Sequence, residues 1–467
     1  MGTARSLVDG QGYTSPPGSP PVGNFPPLFS LVLAAVGVFG PDPLTAARFV
    51  NPIVFGLTVL VVGLLARRLT GSLPLAFAAQ LLVLAGIDFL AYATSALSEP
   101  LFLLLSLLAM AAVAGFLSVR RRRLLLAAAL LAAAACLTRY VAVAGIAAGA
   151  AGLVLLSDRT LRRAWRSAFA FAAVAVAPLL GWLAWVQSRE GRAVNREAVF
   201  HAPDGDYVVD GLRSASTWIT TDTLTWPARG LVAVAVLAGM AWAIRRAPTR
   251  DAVLKDQRRG AALGGLAVLA YLGALVVDRF LFDVTGRLDA RFLLAVHLGA
   301  VLLGVWALRR VDLSRSHLVR LGVSAVVGLQ VANGALWVYD AVDDPAARPG
   351  GFTAPAWVAS EVIDQVRALP VEAPVYSNQA DAVWFHTGRA ASLIPAERAL
   401  LTGERNEGYE AEMVAMADAL SRGGLLVYFT ATPARTVFLP TQAELQQALA
   451  LQPVVSDDVG VAYSLRP

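Results

Sequence analysis

PLFLLLSLLAMAAVAGFLSV, residues 100–119, followed at once by RRRR, residues 120–123, is the stretch that decides the fold. An uncharged run of this length is what a helix rising 1.5 Å per residue needs to cross a hydrocarbon core of roughly 30 Å. The four arginines end the run, and basic residues stay on the cytoplasmic side of a membrane. Reading outward in both directions, apolar runs alternate with arginine clusters, and the clusters fall in every second gap. They are Arg67-Arg68, Arg120 to Arg123, Arg159 with Arg162, Arg163 and Arg166, Arg245-Arg246 through Arg258-Arg259, and Arg309-Arg310.

Ten candidate spans result: residues 46–69, 73–93, 100–119, 124–137, 141–156, 168–186, 231–244, 261–277, 292–308 and 321–338. The fourth and seventh are short, so they either extend into their flanks or serve as half-helices lining a cavity. The arginine-rich gaps hold 20 basic residues and the alternate gaps 9, which puts the arginine-rich side in the cytoplasm. Trp182, Trp185, Trp337 and Tyr339 fall at the opposite ends of their spans, where interfacial aromatics belong.

Composition agrees. The chain is 57% hydrophobic and only 15% charged, where soluble proteins carry about 25% charged residues. A single soluble core is therefore excluded. The net charge of +6 comes from loop arginines. With no basic stripe interleaved with aromatics, it reads as topology and not as nucleic-acid binding. Lys255 is the only lysine, and the abundance of Ala, Leu and Val points to a GC-rich bacterial genome. Cys136 is the only cysteine and lies in an apolar span, so no disulfide framework exists.

The expected fold class is a polytopic α-helical membrane protein with a small C-terminal exoplasmic α/β domain. Residues 1–45 form an exoplasmic first loop. Within it, residues 13–24 are rich in Pro, Gly and Ser, and residues 28–39 are apolar but short, as in an interfacial helix. Residues 46–339 form the transmembrane domain, with an exoplasmic loop at 187–230. Residues 340–467 form the tail domain, with strands expected at 375–377, 425–429 and 459–463 and helices at 361–369, 410–421 and 442–449.

Exoplasmic charges near span ends break the positive-inside pattern, and ionisable residues at membrane depth point to function. Arg48 ends the first span on its outer side, Glu99 opens the third, Arg139 lies in a tight outer turn, and Arg291 opens the ninth. Guanidinium binds phosphate in a bidentate, planar manner, and a carboxylate serves as a general base. The set suits a reaction on a lipid-linked phosphate at the outer leaflet. Each member also has a plain reading. Ser98-Glu99-Pro100 is a good helix start, with Ser as cap. Arg48 and Arg139 can snorkel to headgroups. Arg291 can pair with Asp289 or Asp283. Asp204-Gly205-Asp206 has the form of a metal-binding Asp-x-Asp but is a strong turn signal. His201 alone lacks metal-ligand spacing, and His297 reads as a hydrogen-bonded structural residue. No Walker-type loop is present, which argues against ATP coupling within the chain.

Several stretches together resemble the GT-C superfamily of polyprenyl-phosphate-sugar-dependent glycosyltransferases. The similarity is greatest to glycosyltransferase family 39, which includes protein mannosyltransferases and lipid A aminoarabinose transferases. The stretches are Ala4-Arg5-Ser6-Leu7-Val8-Asp9-Gly10-Gln11-Gly12-Tyr13, Asn24-Phe25-Pro26-Pro27-Leu28-Phe29, Ala47-Arg48-Phe49, Ser98-Glu99-Pro100-Leu101, Leu137-Thr138-Arg139-Tyr140 and Asp289-Ala290-Arg291-Phe292-Leu293-Leu294. In the tail, Tyr376-Ser377-Asn378 and Thr387-Gly388-Arg389 resemble the exoplasmic domain of some bacterial members.

The resemblance implies an outward-facing cavity in the cytoplasmic (inner) membrane and a polyprenyl-phosphate sugar donor. The acceptor is a glycan, lipid or protein that the sequence does not name. It implies a single in-line displacement with inversion. Glu99 takes the acidic position, and Arg139 and Arg291, with Arg48 beside them, take the lipid-phosphate side. It admits a divalent metal as cofactor, although no ligand set in the sequence requires one. It also implies one further span and a principal catalytic Asp upstream of Met1, neither of which this chain contains; by register Asp9 matches a loop position. A start assigned too far downstream, a truncated gene and an inactive relative each fit that departure. The competing function is a transporter or polymerase of lipid-linked glycans, which would show paired repeats or broken helices.

Overall fold

The computed structural model describes residues 2–14, 23, 25–191, 198–200, 205–220, 224–246, 255–282, 288–309, 311, 316–343, 351–398, 404–431 and 438–466. Asn24, His201, Asp204 and Asp283 lie outside the described residues.

Among the described residues fourteen α-helices precede the tail domain: α1 (Gly2–Val8), α2 (Leu28–Gly37), α3 (Pro43–Thr70), α4 (Leu73–Leu84), α5 (Ile87–Ala93), α6 (Glu99–Val119), α7 (Arg122–Cys136), α8 (Val143–Leu155), α9 (Leu161–Glu190), α10 (Gly205–Ser216), α11 (Trp226–Arg246), α12 (Lys255–Leu281), α13 (Ala290–Leu308) and α14 (His317–Asp343). Every expected span contains a helix. Among the described residues, six of them (α3, α6, α9, α12, α13 and α14) are long and apolar enough to cross a membrane. The second expected span is broken into α4 and α5, bent by 58°, and makes a seventh if the pair counts as one. The fourth, fifth and seventh spans, carried by α7, α8 and α11, fall short of that test.

Local chemistry sets the ends of α3. Asp42 caps it by accepting from Leu44 N at 2.9 Å and Thr45 N at 3.2 Å, with Pro43 in the first turn. Gly71 closes it at φ 67°, with Arg67 and Arg68 in the last turn, where cations favour the helix dipole. The kink between α4 and α5 falls at Ala85-Gly86, and α14 crosses it at Gly334. A Cβ there would stand 2.3 Å from the Ala85 carbonyl oxygen, which is backbone and has little room to yield. Gly334→Ala should lower stability by ~1–3 kcal/mol, the usual cost of overpacking. A melting curve in detergent checks it.

The bundle core joins α6, α7, α8, α9, α12 and α13 through residues such as Phe102, Val113, Phe116, Phe171, Leu263 and Leu294. The α10 segment and the turn after it are fastened to the bundle by several contacts, among them the Tyr207 hydroxyl donating to Leu275 O at 3.4 Å. Trp218 stacks on His297 with ring centroids 4.5 Å apart, and the Gln330 amide donates to the carbonyls of Thr217 (3.4 Å) and Thr220 (3.5 Å). His297 is therefore structural, but ring packing between Trp218 and Phe89 holds it; its Nδ1 has no hydrogen-bond partner among the described residues.

At the arginine-rich end, Asp158 between α8 and α9 pairs with Lys255 at 2.6 Å and with Arg259. Hydrogen bonds from Arg259 and Lys255 hold its carboxyl down at about 2. A depressed carboxyl stabilises the fold above its ordinary value and loses that contribution as pH falls through the depressed one. Asp158→Asn should therefore flatten the loss of thermal stability on going from pH 4 to about pH 2.

The tail is an α/β domain. Its helices are α15 (Pro355–Val358), α16 (Glu361–Ala368), α17 (Ala380–Thr387), α18 (Tyr409–Ser421) and α19 (Gln442–Ala448). Its strands are β1 (Val375–Ser377), β2 (Ser392–Leu393), β3 (Leu425–Phe429), β4 (Leu451–Ser456) and β5 (Gly460–Leu465). The sheet order is β2-β1-β3-β5-β4; β2, β1 and β3 run parallel, and β5 and β4 join antiparallel. All five residues of β3 are buried. Leu425, Val427 and Phe429 pack on one face, and Leu426 and Tyr428 on the other. This is the period-2 pattern of a strand covered on both sides.

Candidate active site

Glu99 begins α6, where an acidic residue meets the positive end of the helix dipole, and Pro100 follows. The cap expected from Ser98 is not made: Ser98 is in the αR region and its side chain accepts no cap hydrogen bond. Glu99 is 2% exposed although it carries charge.

Two guanidiniums from distant elements meet it. Arg139 lies in the turn between α7 and α8, in extended conformation (φ −149°, ψ 131°). That turn is pinned to the N-terminal segment. Leu28 N donates to Leu137 O at 2.8 Å, and the Tyr140 hydroxyl donates to Gly23 O and accepts from Trp182 Nε1, both at 2.9 Å. Tyr13 sets its ring edge on Trp182, with centroids 5.0 Å apart. Trp182 and Trp185, expected as interfacial aromatics, thus serve this anchor.

Arg291 is the second residue of α13. Asp289 caps that helix, accepting from Arg291 N at 3.0 Å and Phe292 N at 3.3 Å. Asp289 Oδ1 is engaged with backbone, the Arg291 side chain reaches Glu99, and Asp283 lies outside the described residues. Nη1 of Arg139 and Nε of Arg291 both donate to Oε1 of Glu99. The side chains of Glu99, Arg139 and Arg291 are 3%, 15% and 34% exposed, so the pairs are largely out of water. Oε2 of Glu99 is buried and has no hydrogen-bond partner among the described residues. Within this three-residue contact two guanidiniums face one carboxylate, and Asp88 and Asp289 stand close by.

Three members were not foreseen. Tyr271 on α12, 7% exposed, feels the charges of Arg139, Glu99 and Arg291 and stacks on Phe102 at 6.1 Å. Tyr92 on α5 feels Asp289, Asp88, Arg291 and Glu99, and Asp88 in turn feels Asp289. Asp88 had a usable signal, being a carboxylate inside an apolar run. Tyr271 had none, because a tyrosine in a span is an ordinary packing residue. Arg48 stands apart: it is exposed on α3, and its described charge neighbour is Asp42.

Beside the cluster lies an apolar cavity of about 160 Å³, partly open to the surroundings. Phe102 and Tyr271 line it near Glu99; Met110, Leu263 and Leu298 line its middle; Arg68 and Asp256 line its far end. From Asp256 to Tyr271 the lining follows α12 for ~22 Å. Asp206 lies in the first turn of α10. Among the described residues no three His, Cys, Asp or Glu side chains gather to hold a metal ion.

Residues 18–187 match the family model of dolichyl-phosphate-mannose-protein mannosyltransferases. No curated protein sequence matches the chain. Solved structures do. ArnT from Cupriavidus metallidurans in its apo state superposes with a TM-score of 0.58 at 15% identity, over 99% of this chain and 91% of that one. ArnT bound to undecaprenyl phosphate gives 0.56 at 14%, over 99% and 92%. The oligosaccharyltransferase AglB from Archaeoglobus fulgidus, in complex with an inhibitory peptide and a dolichol-phosphate, gives 0.53 at 12%, over 99% and 69%. The chain has the fold of these GT-C glycosyltransferases.

Proposed function

We propose that this protein is a membrane glycosyltransferase that moves a sugar from a polyprenyl-phosphate donor to an acceptor at the outer face of the cytoplasmic membrane. The observation that carries this reading is the buried Glu99, with two arginines on one oxygen and, among the described residues, none on the other, close to the Phe102 and Tyr271 end of an apolar cavity. A lipid phosphate needs cations at its head and an apolar path for its chain, and the two lie side by side here. The family match and the polyprenyl phosphates bound to two of the structural neighbours support the same donor class.

In the proposed reaction the acceptor oxygen forms a bond to the anomeric carbon while the bond from that carbon to the phosphate oxygen breaks. The lipid phosphate leaves with the electron pair, and its negative charge falls to Arg139 and Arg291. The acceptor proton passes to Oε2 of Glu99, the oxygen free of partners among the described residues. In-line attack inverts the anomeric centre. Sidedness follows from the arginine clusters, which lie at the opposite end of the bundle from Glu99.

A transporter built from repeats would carry broken helices in paired positions. Among the described residues α4–α5 is a single bent pair, which favours the enzyme. The test is sugar transfer by the purified chain in nanodiscs, supplied with a panel of radiolabelled polyprenyl-phosphate sugars and membrane acceptors. We expect label to leave the lipid and undecaprenyl phosphate to appear in equal amount. Flipping of labelled lipid without cleavage would favour the transporter.

A further inference from the structure

We propose that Asn51 is a positioning residue for Glu99, a role that rests on the transferase reading of the site. Asn51 is on α3 and is 0% exposed. Its Nδ2 donates to Ser95 O at 2.6 Å and to Leu97 O at 2.9 Å, two carbonyls of the short turn that joins α5 to α6. Only an amide NH₂ can satisfy two acceptors there, so the orientation of the side chain is fixed by its partners.

The turn needs such a clamp. Ser98 makes no side-chain cap, and Pro100 has no N–H to offer, so the first turn of α6 lacks the local device that usually fixes a helix start. The clamp instead reaches from α3 across 44 and 46 residues of sequence. Two positions after Leu97 stands Glu99, whose side chain must reach both Arg139 and Arg291 at once. A backbone free to shift there would break one pairing or turn Oε2 away from the acceptor. Asn51 also leaves its own Oδ1 buried without a partner among the described residues, a cost that an apolar residue would avoid. Its two donated bonds supply the compensating gain, and they end on the turn that aims Glu99.

The experiment uses the full chain in nanodiscs with Asn51→Ala and Asn51→Asp. The first removes both donors; the second keeps the shape and replaces the donors with acceptors. Each protein is labelled with dicyclohexylcarbodiimide, and modification of Glu99, Asp88 and Asp289 is counted by mass spectrometry. We expect modification of Glu99 to rise severalfold while the other two carboxylates keep their wild-type ratio. Turnover with the lipid donor should fall by up to about 100-fold, the scale of a misplaced catalytic group, with KM for the donor nearly unchanged. Unchanged labelling of Glu99 in both variants overturns the proposal. An equal rise at all three carboxylates also overturns it, because that is general loosening. A wild type that transfers no sugar sinks the transferase reading, while the labelling ratio still decides the role of Asn51.

Discussion

Glu99→Gln should sharply lower sugar transfer while leaving undecaprenyl phosphate binding intact or tighter. The amide keeps the shape and a hydrogen-bond acceptor for Arg139 and Arg291 but cannot take a proton from the acceptor. General-base catalysis contributes about 10²–10⁴-fold, and turnover should fall by that factor. Affinity should not fall with it. In the wild type Oε1 of Glu99 engages both guanidiniums, so the carboxylate competes with a lipid phosphate for the same donors. Neutralising it leaves two cations without their anion, and the phosphate gains. Transfer kinetics and lipid titration on the same preparation check both halves. Loss of lipid binding together with activity would mean that Glu99 holds the site together instead of reacting in it.

Arg139→Ala should be the most destabilising single change in the cluster. It leaves the Glu99 carboxylate, 3% exposed, with one remaining partner that is itself 34% exposed. Removing one partner of a buried pair costs about 3–5 kcal/mol, because the other charge stays out of water uncompensated. Arg291→Ala should cost less, since Arg139, the better buried arginine, stays in place. The sign of a second change separates this mechanism from simple loss of packing. Adding Glu99→Gln to Arg139→Ala removes the orphan charge and should recover part of the stability. The melting point of the double variant in detergent should exceed that of Arg139→Ala alone. Additive losses would show that the guanidinium matters for packing and not for charge.

Much of this was legible in order along the chain. The runs that became α3, α6, α9, α12, α13 and α14 are long, apolar and bounded by arginines, and nothing else in a protein reads that way. β3 and its neighbours were visible because β-branched and aromatic residues cluster between turn signals. The membership of the charge cluster was half legible. Glu99, Arg139 and Arg291 stood out because each breaks the charge asymmetry of its own span, and that asymmetry is a one-dimensional signal. Their convergence on one oxygen was not, because pairing across 40 and 192 residues depends on how helices pack. Arg48 obeyed the same one-dimensional signal and did not join them. Asn51 was invisible for the complementary reason: a lone asparagine in a span says nothing until the carbonyls it holds are known. The tail motifs have structural roles that the sequence did not show. Asn378 proves to bond Phe429 through both N and O at 2.8 Å, and Arg389 binds the carbonyls of Leu369, Pro370, Val371 and Ala373. Both residues fasten the domain's own backbone, which is sufficient physical reason for their identity.

The most direct measurement is a cryo-electron microscopy structure of the chain in nanodiscs with undecaprenyl phosphate. The phosphate should lie within hydrogen-bond reach of the Arg139 and Arg291 guanidiniums, with the isoprenoid chain entering the cavity past Phe102 and Tyr271. A phosphate seated at Arg48, or among the arginines at the opposite end of the bundle, would contradict it.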